Sequence, residues 1–184
     1  MFRNFHAPAA PERCSASRCS RAVAKTALLA TAALAAMAGD AGFAATTTTT
    51  FSVQITITAS CSILSASTLN FGSNGVLTAN VDQTSTLNVQ CTNTTPYNIG
   101  LDAGTATGAT VTTRKMTNGA ATVSYSLFSN AGRTTNWGNT VGTDTVASTG
   151  TGASQSFSVF GRVPAQTTPA PNTYTDTITV TVTF

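Results

Sequence analysis

From Phe51 to Ile57 the chain reads Phe-Ser-Val-Gln-Ile-Thr-Ile, apolar and polar in strict alternation. That is the pattern of a strand with one buried face. The same period recurs downstream. Thr68-Leu69-Asn70-Phe71-Gly72 is a short strand ending in a turn, Thr86–Thr92 turns Leu87, Val89 and Cys91 to one side, and Tyr97-Asn98-Ile99-Gly100-Leu101 repeats the pattern. Val123–Phe128 and Phe157–Arg162 are further strands. The run Thr173–Phe184 is predicted to be the longest, with Tyr174, Ile178, Val180, Val182 and Phe184 on one face and threonines on the other. Turn signals at Ser73-Asn74-Gly75, Asn118-Gly119, Asn130-Ala131-Gly132, Thr149–Gly152 and Pro169–Asn172 divide these runs. No segment after residue 44 keeps a helical period, so the expectation is an all-β sandwich of antiparallel sheets.

The first 44 residues follow a different pattern. Arg3, Arg13, Arg18, Arg21 and Lys25 precede the apolar run Thr26–Ala38, and Gly39–Ala44 ends in a small-x-small exit. A basic region, a short apolar core and a small-residue exit define a secretory signal peptide, here spanning 1–44 with cleavage after Ala44 and Ala45 as the near alternative. The apolar run is shorter than the roughly 20 residues a membrane-spanning helix needs. The long basic region points to a start codon further downstream. No twin arginine is present, so unfolded export is expected.

Removing this leader changes the charge balance. Beyond it Arg114, Lys115, Arg133 and Arg162 stand against Asp82, Asp102, Asp144 and Asp176, a net charge of zero. Four scattered cations make no footprint for nucleic acid or anionic lipid. Cys14 and Cys19 fall in the leader, leaving Cys61 and Cys91. An even pair in an exported protein is expected to form one disulfide. A metal or redox role has little to stand on, because His6 lies in the leader and no C-x-x-C occurs.

Candidate chemistry is sparse. Without a histidine or a free thiol beyond residue 44, Ser-His-Asp and Cys-His arrangements have no members. The four aspartates sit on four separate segments and read as solvated turn or strand-end residues. Gly104, Gly108, Gly150 and Gly152 do not follow a phosphate-loop pattern. Trp137 with Arg133 and Tyr125 could stack on a sugar, but core and turn residues of a sandwich are the better reading. Asn93-Thr94-Thr95 matches the glycosylation triplet, a frequent coincidence in a chain this rich in Asn and Thr. No enzyme activity, cofactor or small-molecule substrate is expected.

One element asks for a partner. The Phe51–Ile57 strand lies between the cleavage site and the first structural cysteine, behind the low-complexity tract Thr46–Thr50. Either it is the first strand of its own sandwich, or it is donated to another subunit. From about Ser52 to Phe184 the chain resembles the spore coat U domain family, which includes the Csu-type subunits of archaic chaperone–usher pili. The resemblance is carried by Cys61, Leu69–Gly72, Val89-Gln90-Cys91, Tyr125–Phe128, Arg133–Gly138, Phe160–Ala165 and Tyr174–Phe184.

The resemblance implies an incomplete immunoglobulin-like sandwich that is completed by a donor strand from a neighbouring subunit. It implies an N-terminal extension over 45–58 with donor residues Phe51, Val53, Ile55 and Ile57, and a pilin domain over 59–184. A periplasmic chaperone would fill the gap first, facing the C-terminal strand with Tyr174, Ile178, Val180, Val182 and Phe184, and an outer-membrane usher would then exchange it. The implied product is an extracellular pilus serving adhesion and biofilm formation. The alternatives are a secreted spore or cell coat protein that forms no fibre, and a tip adhesin.

Overall fold

The computed structural model describes residues 44–184, so the expected leader lies outside the described residues except for Ala44. The chain divides into two units at Phe51/Ser52, and the second, Ser52–Phe184, carries eight strands. These are β1 (Cys61–Ala66), β2 (Val81–Cys91), β3 (Pro96–Leu101), β4 (Arg114–Asn118), β5 (Ala121–Phe128), β6 (Val146–Thr149), β7 (Ser154–Val163) and β8 (Val180–Thr183). They form a five-stranded sheet in the order β1-β2-β7-β5-β4 and a three-stranded sheet in the order β6-β3-β8. All pairings are antiparallel.

Alternation builds the core. Leu87, Val89 and Cys91 from β2, Val123, Tyr125 and Leu127 from β5, and Val159 and Val163 from β7 face Tyr97, Ile99 and Leu101 of β3 in one buried cluster. Polar residues at the intervening positions keep the outer faces wet, as a one-faced antiparallel sheet requires. Trp137 stitches the two layers. Its backbone amide donates to the Leu127 carbonyl at 2.9 Å, and its indole Nε1 donates to the Ile99 carbonyl at 2.8 Å. It is 1% exposed and has no face left to offer a sugar, and Tyr125 is likewise buried.

Arg114 does the same work from β4. It is fully buried, and its guanidinium donates to the carbonyls of Asp102 (2.7 Å), Val111 (2.7 Å), Leu101 (2.9 Å) and Trp137 (2.8 Å). A planar fork with five N–H donors suits such a convergence of carbonyls. The other cations stay near the surface, where Arg162 and Arg133 both reach the Asp82 carboxylate, at 2.7 Å and 3.4 Å.

Cys61 and Cys91 stand opposite each other at the end of the β1–β2 ladder and are joined in a disulfide. Closing a 30-residue separation is worth about 3.7 kcal/mol in the chain-entropy account.

Four sequence expectations need correction. Residues 51–57 form no strand and pair with nothing within the described chain. Thr68–Gly72 is likewise outside any ladder. The C-terminal run is not the longest strand. β2, with 11 residues, is longest, and β8 covers only four. The reason is a crossing. Thr175 pairs with Thr117 beside β4 in one sheet, whereas Val180–Thr183 pairs with β3 in the other. A segment that passes from one layer to the next cannot hold a continuous ladder with either. The Asn118-Gly119 turn is also displaced by one residue: the β4–β5 hairpin turns on Gly119-Ala120, with Gly119 at a φ of 57°. A positive φ at the first central position is what glycine supplies in a two-residue hairpin.

Candidate functional site: an open cleft in the sandwich

β1 covers only part of the β2 edge. Its ladder ends at Ala66 opposite Leu87, followed by one bond from the Ser67 amide to the Thr86 carbonyl. Beyond that point the chain from Ser67 to Leu77 leaves the sheet, and Val81–Ser85 of β2 pair with β7 on one side alone. In the other layer β8 is an edge strand. Between these two unfilled edges lies a cleft of about 1080 Å³.

Its floor is core: Leu87, Leu101, Val123, Tyr125, Leu127 and Val159. One wall is the segment 66–77 with Leu69 and Phe71, and the other is the segment 168–178 with Tyr174 and Ile178, continued by Val180. A cleft of this volume with an apolar floor is larger than most small-ligand pockets, although its floor side chains are only 1–7% exposed.

The walls are lightly fastened. Leu69 and Phe71 lie over Gly161 of β7. A Cβ there would come within 2.8 Å of Leu69 and 2.9 Å of Phe71, so glycine permits the approach. The opposite wall is held by the paired bonds between Thr117 and Thr175 (2.8 and 3.1 Å) and by the Asn118 side-chain amide donating to the Thr173 carbonyl at 2.9 Å. The Asp176 carboxylate accepts from the Tyr125 hydroxyl at 2.7 Å. Burial, and then that hydrogen bond, push the Tyr125 phenol far above its ordinary range, so it remains a donor.

At the foot of β8, Asp102 Oδ1 accepts from the amides of Thr179 (2.9 Å) and Gly104 (3.0 Å). Burial alone would raise this carboxyl. The bonds from Thr179 and Gly104, with Arg114 nearby, outweigh it and hold the group below its usual value.

The residues singled out from the sequence fall into two sets. Tyr174, Ile178 and Val180 are half-buried and line the cleft wall. Val182 sits opposite Ile99 and packs on the core, outside the cleft lining, and Phe184 is 59% exposed. The cleft does not gather the second set. Phe51, Val53, Ile55 and Ile57 are 86%, 85%, 81% and 73% exposed. Sequence reasoning missed Asp176, which shares the phase of Tyr174, Ile178 and Val180, and missed Arg114. A carboxylate recurring in step with an apolar stripe was the available signal for Asp176. Nothing in the sequence marks Arg114.

The two antiparallel layers form an immunoglobulin-like sandwich. The Spore Coat Protein U domain matches residues 47–181, and the chain belongs to that family. It is 36% identical over 156 residues to "Protein U" of Myxococcus xanthus, covering 77% of this chain and 87% of that protein. Among solved structures it is similar to a chain of the CsuC–CsuE chaperone–tip adhesion subunit pre-assembly complex, from the archaic chaperone–usher Csu pili of Acinetobacter baumannii. The TM-score is 0.52 at 26% identity over 70% of this chain, and the chain spans 40% of the length of that solved chain.

Proposed function

We propose that this protein is a structural subunit of an extracellular pilus of the archaic chaperone–usher type, assembled by donor-strand exchange. The observation that carries the reading is one chain with two complementary unsatisfied features. It has an exposed, strictly alternating apolar arm at Phe51–Ile57 and an apolar cleft bounded by free strand edges. The arm of one copy enters the cleft of the next, with Phe51, Val53, Ile55 and Ile57 turned to the floor.

Burying four such side chains is worth roughly 6–12 kcal/mol gross at about 1.5–3 kcal/mol each. Ordering the arm offsets part of that. In this reading residues 1–44 direct export and are removed, 45–58 form the arm, and 59–184 form the acceptor domain. A periplasmic chaperone occupies the cleft, facing Tyr174, Ile178 and Val180, before an outer-membrane usher mediates the exchange. Adhesion and biofilm formation are the role of the finished fibre. The test is Ile55→Asp. It is expected to stop fibre formation, seen by electron microscopy, while the variant still co-purifies with its chaperone. Fibres of normal length from this variant would overturn the proposal. The higher identity to Protein U favours a second reading, a secreted coat protein that forms no fibre. Micrographs showing wild-type protein on the cell surface without fibres would decide for it.

A further inference from the structure

Strand donation, on which this inference rests, puts the subunits of a fibre in series, so a pull on the fibre leaves each body through its own arm. The base of that arm is fixed at one point. The Ser60 amide donates to Thr92 Oγ1 at 3.1 Å, and the Thr92 amide donates to the Ser60 carbonyl at 2.9 Å. Next to them Cys61 is bonded to Cys91 at the first rung of the β1–β2 ladder. Only Thr58 and Ala59 lie between this anchorage and Ile57.

Past the anchorage the chain is weakly held. β1 is an edge strand, Ser62–Ala66 are exposed, and the short ladder shifts register between Ile63 and Ser65. The chain then runs without a break into the 66–77 wall, where Leu69 and Phe71 lie over Gly161. Along the backbone, the donating arm and the receiving wall are therefore joined end to end through β1. A pull that drew β1 off β2 would draw on the wall next and loosen the hold on the neighbour's arm. β2 is a firmer support. It has 11 residues, lies between β1 and β7, and pairs with β7 from Val81 to Gln90. Its Leu87, Val89 and Cys91 are at most 2% exposed.

We propose that the Cys61–Cys91 disulfide is a tension shunt, passing the pull on the donated arm straight into β2 and keeping it off the wall that receives the neighbour's arm. Without the bridge, the covalent route from the arm to the end of β2 runs through β1 and the wall, over a separation of 30 residues. With it, that route is one bond at the base of the arm, and residues 62–90 form a closed loop that the line of tension bypasses. The entropic stabilisation from a disulfide depends on how many residues it encloses. Carrying tension depends instead on where the bridge stands relative to the arm. The two roles part under force: the entropic one acts whether or not the fibre is pulled, and the shunt acts only when it is.

The experiment holds single wild-type fibres at constant load in magnetic tweezers, before and after reduction with a phosphine, with the freed thiols counted by alkylation and mass spectrometry. Unloaded fibres are followed in parallel by the subunits they shed. Reduction is expected to shorten the loaded lifetime about tenfold more than the unloaded one, equivalent to about 1.4 kcal/mol of barrier lost only under load. Cys61→Ser combined with Cys91→Ser should give the same split, and it carries the test if the bridge resists the reductant. Ile99→Ala removes a buried side chain that lies outside the cleft lining and off the arm's route, so it should shorten both lifetimes by the same factor. Equal shortening of the two lifetimes on loss of the bridge overturns the shunt, and so does a loaded lifetime that does not change. Fibres that fall apart on reduction without load also overturn it, as does a double variant that never assembles where the bridge resists reduction, since the bridge is then needed before any pull exists. If the wild-type chain forms no fibre, strand donation itself fails and the shunt falls with it. Fibres that form and are indifferent to reduction refute the shunt alone.

Discussion

The arm and strand β5 are written with the same period and have opposite fates. Val123, Tyr125 and Leu127 are 7%, 5% and 4% exposed, whereas the arm's Phe51, Val53, Ile55 and Ile57 are all above 70%. Composition does not separate them, since both alternate large apolar residues with Ser, Thr or Gln. The difference is the partner. β5 lies between β7 and β4, which its own chain supplies, and the arm has no ladder neighbour within the described chain. Alternation specifies which face of a strand wants burial and leaves open who buries it. This chain carries both such an unpaired segment and an apolar-floored cleft.

If the body holds itself together without the arm, its weakest points should be its own. Arg114→Met is the most severe test. The variant keeps the side chain's length and leaves the carbonyls of Leu101, Asp102, Val111 and Trp137 without their donor. Stranding buried acceptors costs about 1–3 kcal/mol each and is not additive, so a loss of about 4–5 kcal/mol is expected in urea unfolding. Arg114→Lys should rescue little, because an ammonium cannot reach four carbonyls in one plane. A loss under 1 kcal/mol would show that the layers are held elsewhere.

Next comes the covalent tie. Replacing Cys61 and Cys91 together by serine removes about 3.7 kcal/mol by the loop-closure argument. Since β1 already leaves β2 after Ala66, its remaining ladder should fray, which hydrogen exchange at Ser62–Ala66 would report. Protection there equal to wild type would mean that packing alone seats β1.

A matched pair of truncations addresses the comparison directly. Leu127→Ala should destabilise the isolated body by about 3 kcal/mol, as buried leucine truncations do. Ile57→Ala should change it by less than about 0.5 kcal/mol, as an exposed side chain does. The same Ile57→Ala should weaken assembly by about 1.5–3 kcal/mol if that side chain is buried in a neighbour. Equal effects of both truncations on the monomer would place the arm in its own core and end the distinction.

This contrast also explains what could be read from the sequence. Strands β2, β3, β5 and β7 were legible because their buried faces alternate and their partners are in the chain. β1, β4 and β6 were not. CSILSA carries a register shift between Ile63 and Ser65, RKMTN is mostly polar, and VAST is four residues long. Two of the three over-predicted strands, Thr68–Gly72 and the first half of Thr173–Phe184, are the two cleft walls. Both have strand patterning, and apart from the Thr175–Thr117 bridge neither has a ladder partner, so alternation alone did not make them strands. Arg114 stayed hidden for a different reason: convergence of carbonyls distant in sequence has no local signature, whereas Asp176 was marked only by its phase with the apolar stripe.

The smallest expected effect is acid sensitivity, and it belongs to the body alone. Asp82 is held below its usual 3.8 chiefly by its hydrogen bond to Arg162, with Arg133 adding to it. Asp102 is held below 3.8 by its bonds from Thr179 and Gly104, against the opposing effect of burial. A carboxyl whose folded value is depressed contributes stability that is complete above the unfolded value and drains as pH falls through the folded one. The urea midpoint should therefore be flat from pH 7 to about 5 and decline below about 3.8. Asp82 is largely solvated, so its share is small and should shrink further in salt. Asp102 is more enclosed and bonds Thr179 at the foot of β8, so Asp102→Asn should flatten the acid limb more than Asp82→Asn does. Residues 45–58 carry no ionisable side chain, so the acid response belongs to the strands of the body. A midpoint that rises on acidification would mean that these carboxylates are strained in the fold, and a midpoint unaffected by either substitution would move the acid response to other groups.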